Sequence, residues 1–349
     1  MKPTPAPLPS VPEGTMIKDY RVGRCLGRGS MGEVYEAVHQ TIGRRVAIKV
    51  LRDGADNQLN AGRRLLEEAR SVNAIRHSGI VDVFDVGLYE ERRPYLVMEL
   101  LEGVALSTRI RQGPVVATDA VQWLVGILEA LDAAHHAGVI HRDLKPSNVF
   151  LTGKHDPLKV KLLDFGVARR AGRKEVFTAP SMAVGSVGFM APEQLMGNAS
   201  AASDLYAVGC LAFLLLSGKP VFPLKNIPDA AKKHMSEPAP QLRTMVKTIS
   251  PDLELWVDRL LQKNPKDRPQ SAARALADLK SADLEGTLTN SRQRTELVPA
   301  FTPPSGRARA VTAPSVKTGD ATKAERPETT TSVESVEQSS ADSKTLFDT

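Results

Sequence analysis

The stretch VIHRDLKPSNVFL, residues 139–151, carries Arg142, Asp143, Lys145 and Asn148 into the middle of an apolar run. Charges are costly to desolvate unless they are paired or put to use. The loop is therefore either a polar connection between two strands, Val139-Ile140 and Val149-Phe150-Leu151, or a site. Downstream, LKVKLLDFG at 158–166 reads as a strand joined to the second of these by TGKHDP, a turn with Gly153 and Pro157. An antiparallel hairpin would return the chain to its start and set Asn148 near Asp164. An amide oxygen beside a carboxylate makes a hard site suited to Mg²⁺, which takes few protein ligands and adds phosphate oxygens and water. With Asp143 and Lys145 on the same loop, the chemistry is phosphoryl transfer. Asp143 orients an attacking hydroxyl and accepts its proton, while Lys145 offsets charge on the moving group.

Phosphates need further partners. LGRGSMGEV places Gly27, Gly29 and Gly32 between two predicted strands, where glycine lets backbone amides approach a phosphate closely. A glycine-rich hairpin without a ligand is the alternative. Glu33, Val34 and Tyr35 continue as a strand, unlike the dinucleotide fingerprint, whose third glycine opens a helix. In RRVAIKVL the alternation puts Val46, Ile48 and Val50 on one face and Ala47 and Lys49 on the other. On the predicted helix AGRRLLEEARSVNAI, Glu68 falls on the apolar stripe with Leu65, Val72 and Ile75, so Lys49 is its candidate partner. A helix end or solvent channel could account for Glu68 instead.

These residues need elements to hold them. YRVGRCLG, GEVYEAVH, RRVAIKVL, VDVFDVGLY and PYLVMELL read as strands; the remainder of the ordered chain is mostly helical. TDAVQWLVGILEALDAAHHAG opens on a Thr118/Asp119 cap and closes on Gly138, and AVGCLAFLLLSG at 207–218 is a buried helix too short to span a bilayer. The class is α+β: a small β-rich N-lobe with one key helix over 16–101 and a larger, mainly helical C-lobe over 102–285. Residues 1–15 form a Pro-rich, mobile leader, and 286–349, rich in Ser, Thr and Pro and poor in aromatics, a disordered tail.

The 349 residues carry a net charge of +6, too mild to call for a nucleic-acid partner, and show no secretory signal or membrane span. Two cysteines, Cys25 and Cys210, read as buried small hydrophobes in a reducing, cytoplasmic setting. His135, His136 and His141 have no cysteine or carboxylate at ligand spacing.

GRGSMGEV, VAIK, EEAR, HRDLKPSN, DFG and APE occur in the order and spacing of the protein kinase superfamily over roughly 20–280. HAGVIHRDLKPSNV, MAPEQ and SDLYAVGC resemble bacterial eukaryotic-like (Hanks-type) serine/threonine kinases. The resemblance implies a two-lobed kinase fold, ATP with Mg²⁺ (Mn²⁺ as a substitute), and protein substrates. It implies Asp143, Lys145 and Lys49 as catalytic residues and Asn148 and Asp164 as metal ligands. Leu26, Gly27, Gly29, Gly32, Val34, Ala47 and Phe150 join the nucleotide-binding set with Glu68, gatekeeper Met98 and hinge residues Glu99 and Leu101. His141, Phe165 and Val72 match an internal apolar column, and Glu193 and Arg268 a buried pair. Asp204 matches the acid that braces the catalytic loop, although a helix N-cap would explain it equally. Ser186 stands where the family commonly has Thr, and RHSGIV replaces His-Pro-Asn, which should affect a loop and little else.

Arg142 and Arg169 match residues that bind a phosphate on the activation segment, RRAGRKEVFTAPSMAVGS, where Thr178 or Ser181 is the expected site of autophosphorylation; exposed loop hydroxyls with no switch role are the alternative. Thr329, Thr330 and Thr331 beside acidic residues make the tail a candidate docking segment for phosphothreonine-binding domains, with an inert solvated tail as the alternative. The alternative to an active enzyme is a nucleotide-binding pseudokinase or scaffold.

Overall fold

The computed structural model describes residues 10–29, 32–51, 69, 72–90, 92–153, 158–165, 184–223 and 226–283, all within the compact unit Met1–Pro304. The first part is an antiparallel sheet of β1 (Met16–Ile17), β2 (Tyr20–Arg28), β3 (Gly32–His39), β4 (Arg45–Leu51), β5 (Val83–Tyr89) and β6 (Arg93–Glu99), ordered β1-β2-β3-β4-β6-β5. Alternation along β4 decides its two faces. Val46, Ile48 and Val50 are fully buried against Tyr35, Ala37, Tyr95 and Val97 on the outer side. Each such aliphatic contributes about 1.5–3 kcal/mol by burial. Ala47, with Leu96 and Met98 of β6, faces the other way and packs with Ala69, Val72, Ile75 and Phe165. Lys49 shares that inner face.

The mobile-leader expectation for 1–15 does not hold over 10–15. Val11 is 4% exposed and completes the outer apolar cluster, its N–H bonds the Tyr35 hydroxyl at 2.9 Å, and Gly14 N–H bonds the Val22 carbonyl at 2.8 Å. The curled sheet leaves apolar surface over β2 and β3, and this short segment covers it. Of the helix predicted over 61–75, Ala69, Val72 and Asn73 are helical and the remainder up to 71, Glu68 included, lies outside the described residues.

Past β6 come β7 (Gly103–Ala105), α1 (Leu106–Gln112) and α2 (Ala117–His136), then the hairpin β8 (Val149–Thr152) and β9 (Lys159–Leu162). Its register runs from Val149 opposite Leu162 to Thr152 opposite Lys159, so the expected return of the chain is realised. Val139-Ile140 is not a strand: Val139 N–H instead caps α2 by bonding the Ala134 carbonyl at 2.9 Å. The N-cap of α2 is Val116 rather than Thr118 or Asp119; Asp119 falls in the first turn, where it complements the helix dipole. Gly138, at φ +73°, does close the helix.

The rest is α3 (Val184–Val187), α4 (Pro192–Leu195), α5 (Ala201–Ser217), α6 (Ile227–Ser236), α7 (Pro251–Leu260) and α8 (Ala272–Asp283). From Ser203 onward every residue of α5 is buried, as the apolar run at 207–218 required. Leu124, Leu128, Phe213, Trp256 and Leu279 belong to the same core as Val72 and Phe165, so one apolar mass is continuous between the two parts. The RHSGIV segment does more than close a loop. Ile80 makes a parallel bridge to Leu162, with Val81 N–H to the Leu162 carbonyl at 3.1 Å and Leu162 N–H to the Gly79 carbonyl at 2.8 Å.

Candidate active site

The turn between α2 and β8 is held in an unfavourable backbone shape. Arg142 has φ +63°, a conformation that costs a non-glycine residue about 1–3 kcal/mol and persists only where its surroundings over-determine it. Here they do. Asp204, 2% exposed, accepts from Arg142 N–H at 2.9 Å, from His141 N–H at 2.8 Å and from His135 Nε2 at 2.8 Å. The Arg142 carbonyl accepts from Gln194 Nε2 at 2.5 Å. Asp204 lies inside the first turn of α5, whose N-cap is Ser200. Bracing the loop, not capping the helix, is its role.

His141 is wholly buried, and burial lowers its pKa in spite of the Asp204 and Asp143 charges nearby. Its Nε2 lies 2.9 Å from the Leu163 carbonyl, so that nitrogen carries the proton and Nδ1 is left to accept from Asp143 N–H at 3.4 Å. The imidazole also packs on Phe165 at 4.6 Å between centroids. Leu163 N–H bonds the Asn148 carbonyl at 2.9 Å. The 141–148 loop and the Asp164 strand end are thus tied together on both sides of Leu163.

Around Asp143 the side chains converge. Lys145 Nζ donates to Asp143 Oδ2 at 2.7 Å and to Ser186 Oγ at 2.8 Å. Asn148 Nδ2 donates to the Asp143 carbonyl at 2.8 Å and to Oδ2 at 3.0 Å. Two acceptors on that side fix the amide orientation and turn its Oδ1 the other way, where Ser147 donates at only 3.5 Å. Asp164, at φ +52°, pairs with Lys49 at 2.6 Å. An amide oxygen and a carboxylate on adjoining backbone fit a hard divalent cation that takes its other ligands from phosphate and water.

The expected Lys49–Glu68 pair lies outside the described residues, because Glu68 does; among the described residues Lys49 meets the Asp164 carboxylate. Arg169, Thr178 and Ser181 also lie outside them. Gly27 pairs with Val34 across the first hairpin, and Gly29 N–H bonds the Gly32 carbonyl at 2.8 Å. A Cβ on Gly32 would stand 2.3 Å from the Val50 carbonyl, so only glycine fits there. Leu26 is 42% exposed; Val34 and Phe150 are half-buried, and Ala47 pairs with Met98 across β4 and β6. Leu101 is half-buried just beyond β6. Glu99 is gripped by its side chain, which takes the Lys161 ammonium and, at 2.9 Å, the Asp82 N–H. That anchor was not anticipated; its one sequence signal is Lys161 alternating with buried Val160 and Leu162.

Glu193 and Arg268 form a two-point pair at 2.7 and 2.9 Å. Burial raises the Glu193 pKa, but hydrogen bonds from Arg268 and Ser203 outweigh it and hold the carboxyl below its usual range. Cys210 is buried as expected, with burial pushing its thiol up to about 12. Cys25 is not; it is exposed on β2.

The protein kinase domain model matches residues 20–278. The chain is 39% identical over 262 residues, 74% of its length, to serine/threonine-protein kinase Pkn1 of Myxococcus xanthus, of which it covers 38%. It is 36% identical over 307 residues, 86% of its length, to serine/threonine-protein kinase PknA of Mycobacterium tuberculosis, of which it covers 68%. In fold it is similar to the Mycobacterium tuberculosis PknI kinase domain, with a TM-score of 0.63 at 24% identity over 78% of this chain and all of that one. The chain belongs to the protein kinase family. No described helix is long and apolar enough to cross a membrane.

Proposed function

We propose that this chain is an ATP-dependent serine/threonine protein kinase, transferring the γ-phosphoryl group to hydroxyls of protein substrates. The observation that carries the reading is the convergence of Lys145 and Asn148 on Asp143, with Ser186 held by Lys145, beside the Lys49–Asp164 pair. Asp143 is the acceptor for the attacking hydroxyl's proton; Lys145 bonds both the carboxylate and the Ser186 hydroxyl and offsets charge on the transferred group. Lys49 holds phosphates. Asn148 and Asp164 would hold Mg²⁺ or Mn²⁺, which neutralises phosphate charge when bound. Leu26, Val34, Ala47, Met98 and Phe150 surround the adenine, with Glu99 and Leu101 supplying backbone bonds.

Regulation belongs to the same reading. Thr178 or Ser181 is the site of autophosphorylation, read by Arg142 and Arg169, and the tail docks a phosphothreonine-binding domain. The setting is cytoplasmic. The names of Pkn1 and PknA, together with the intact site, support the substrate class. The test is phosphate transfer from labelled ATP to a casein-like protein. Asp143→Asn should lower turnover by about two to four orders of magnitude while nucleotide still binds. Equal activity in that variant would contradict the assignment.

A further inference from the structure

The segment ahead of the first strand reaches the glycine hairpin through one carboxylate. Glu33 follows Gly32 on β3 and is 8% exposed. Its Oε1 accepts from Ser10 Oγ at 3.0 Å, its Oε2 from the Tyr35 hydroxyl at 2.5 Å, and Arg28 Nε lies 3.4 Å away. The Tyr35 hydroxyl is in turn the acceptor for Val11 N–H. Burial pushes the Glu33 carboxyl up, but hydrogen bonds from Tyr35 and Ser10 outweigh it and keep it ionised. Alternation then matters. Glu33 and Tyr35 point to the outer face, while Val34 between them points to the inner face, toward Ala47 and Met98. Arg28, opposite Glu33 in the ladder, lies between Gly27 and Gly29. Whatever fixes Glu33 therefore fixes the strand that carries Gly32 and Val34.

We propose that Ser10 and Val11 form a strap that positions the glycine hairpin through Glu33 and Tyr35, making Glu33 a positioning residue for ATP binding. The strap acts on ATP only if the nucleotide lies beneath that hairpin, and so it rests on the kinase reading given above. Loosening the strap weakens ATP binding without touching Asp143, so KM for ATP moves and kcat does not.

The test compares full-length wild type with Ser10→Ala, Glu33→Gln and the double variant, recording KM for ATP, kcat and binding of a fluorescent ADP analogue. Each single change should raise KM for ATP about three- to tenfold, the scale of one ordinary hydrogen bond, with kcat held within about twofold. The double variant should be worse than Glu33→Gln by less than the Ser10→Ala effect alone, since both changes act on the same contact. Ser10→Asp, which sets a like charge against Glu33, should raise KM further than Ser10→Ala. Unchanged KM and analogue affinity in the single variants overturn the strap alone. A wild type that binds no adenine nucleotide overturns the functional reading, and the strap with it. A uniform loss of kcat at constant KM would mean general destabilisation and also overturns it.

Discussion

The Lys145 ammonium stands 2.8 Å from the Ser186 hydroxyl, 41 positions away in sequence, and 2.7 Å from the Asp143 carboxylate. One cation thereby joins the catalytic loop to α3, the segment that precedes the Glu193 anchor. Ser186 needs only a hydroxyl to do this. Ser186→Thr should keep turnover within about threefold, whereas Ser186→Ala should lower kcat by about ten- to a hundredfold, as loss of a hydrogen bond to a charged group predicts. Steady-state kinetics on both variants decides it; equal kcat in the two would remove Ser186 from the site.

Asp204 separates two roles by magnitude. Losing an ordinary helix cap costs about 1 kcal/mol. Losing the buried acceptor for His141, Arg142 and His135 leaves backbone donors unsatisfied and should cost roughly 3 kcal/mol or more. Urea unfolding of Asp204→Ala should fall in the second range, with kcat reduced as the strained Arg142 turn relaxes. Asp204→Asn, which keeps one oxygen, should recover part of both.

Lys49 is the single cation paired with Asp164 among the described ion pairs. Lys49→Met should depress kcat/KM by about two to three orders of magnitude, the usual consequence of removing one electrostatic donor from a preorganised site. Because the pair is partly exposed, thermal stability should change little. A large drop in melting temperature with kinetics intact would reverse this assignment.

His234 gives the protein a pH dependence away from the cleft. Burial lowers its pKa from 6.5 to about 4, helped by the Lys263 charge; Tyr206 meets its Nδ1 at 2.9 Å and Lys263 Nζ its carbonyl at 3.0 Å. The imidazole is neutral when folded and takes up a proton on unfolding. Its contribution is therefore full above pH 6.5 and lost as pH falls toward 4, on the order of 3 kcal/mol. Urea titrations at several pH values should show this slope in wild type and a flatter one in His234→Phe.

The site was legible because its residues crowd into short segments. Asp143, Lys145 and Asn148 span a few positions, and a turn signal at Gly153 and Pro157 was enough to bring Asp164 back beside them. Lys49 was legible through strand alternation. What stayed hidden depended on contacts between distant segments with ordinary local composition. Val11 sits among prolines, so nothing local marks it as core; its burial is decided by the exposed apolar face of β2 and β3. The absent Thr118 cap and the exposed Cys25 have a similar origin. Helix start and residue facing are decided by packing, which outweighs a single side chain's preference. Val139-Ile140 failed as a strand because two apolar residues suffice for a helix stop contact as well as for a ladder.

The bridge from Ile80 to Leu162 has a mechanical consequence. The two parts of the chain are joined covalently after Glu99 and again at this bridge, and both joints lie by the β6-β5 edge of the larger sheet. Attachments along that edge favour a pivot there, with the Lys49–Asp164 pair as a further tie. Strands β2 and β3 lie toward the opposite side of that sheet, so a small rotation about that edge would displace Gly27 and Gly32 more than Lys49.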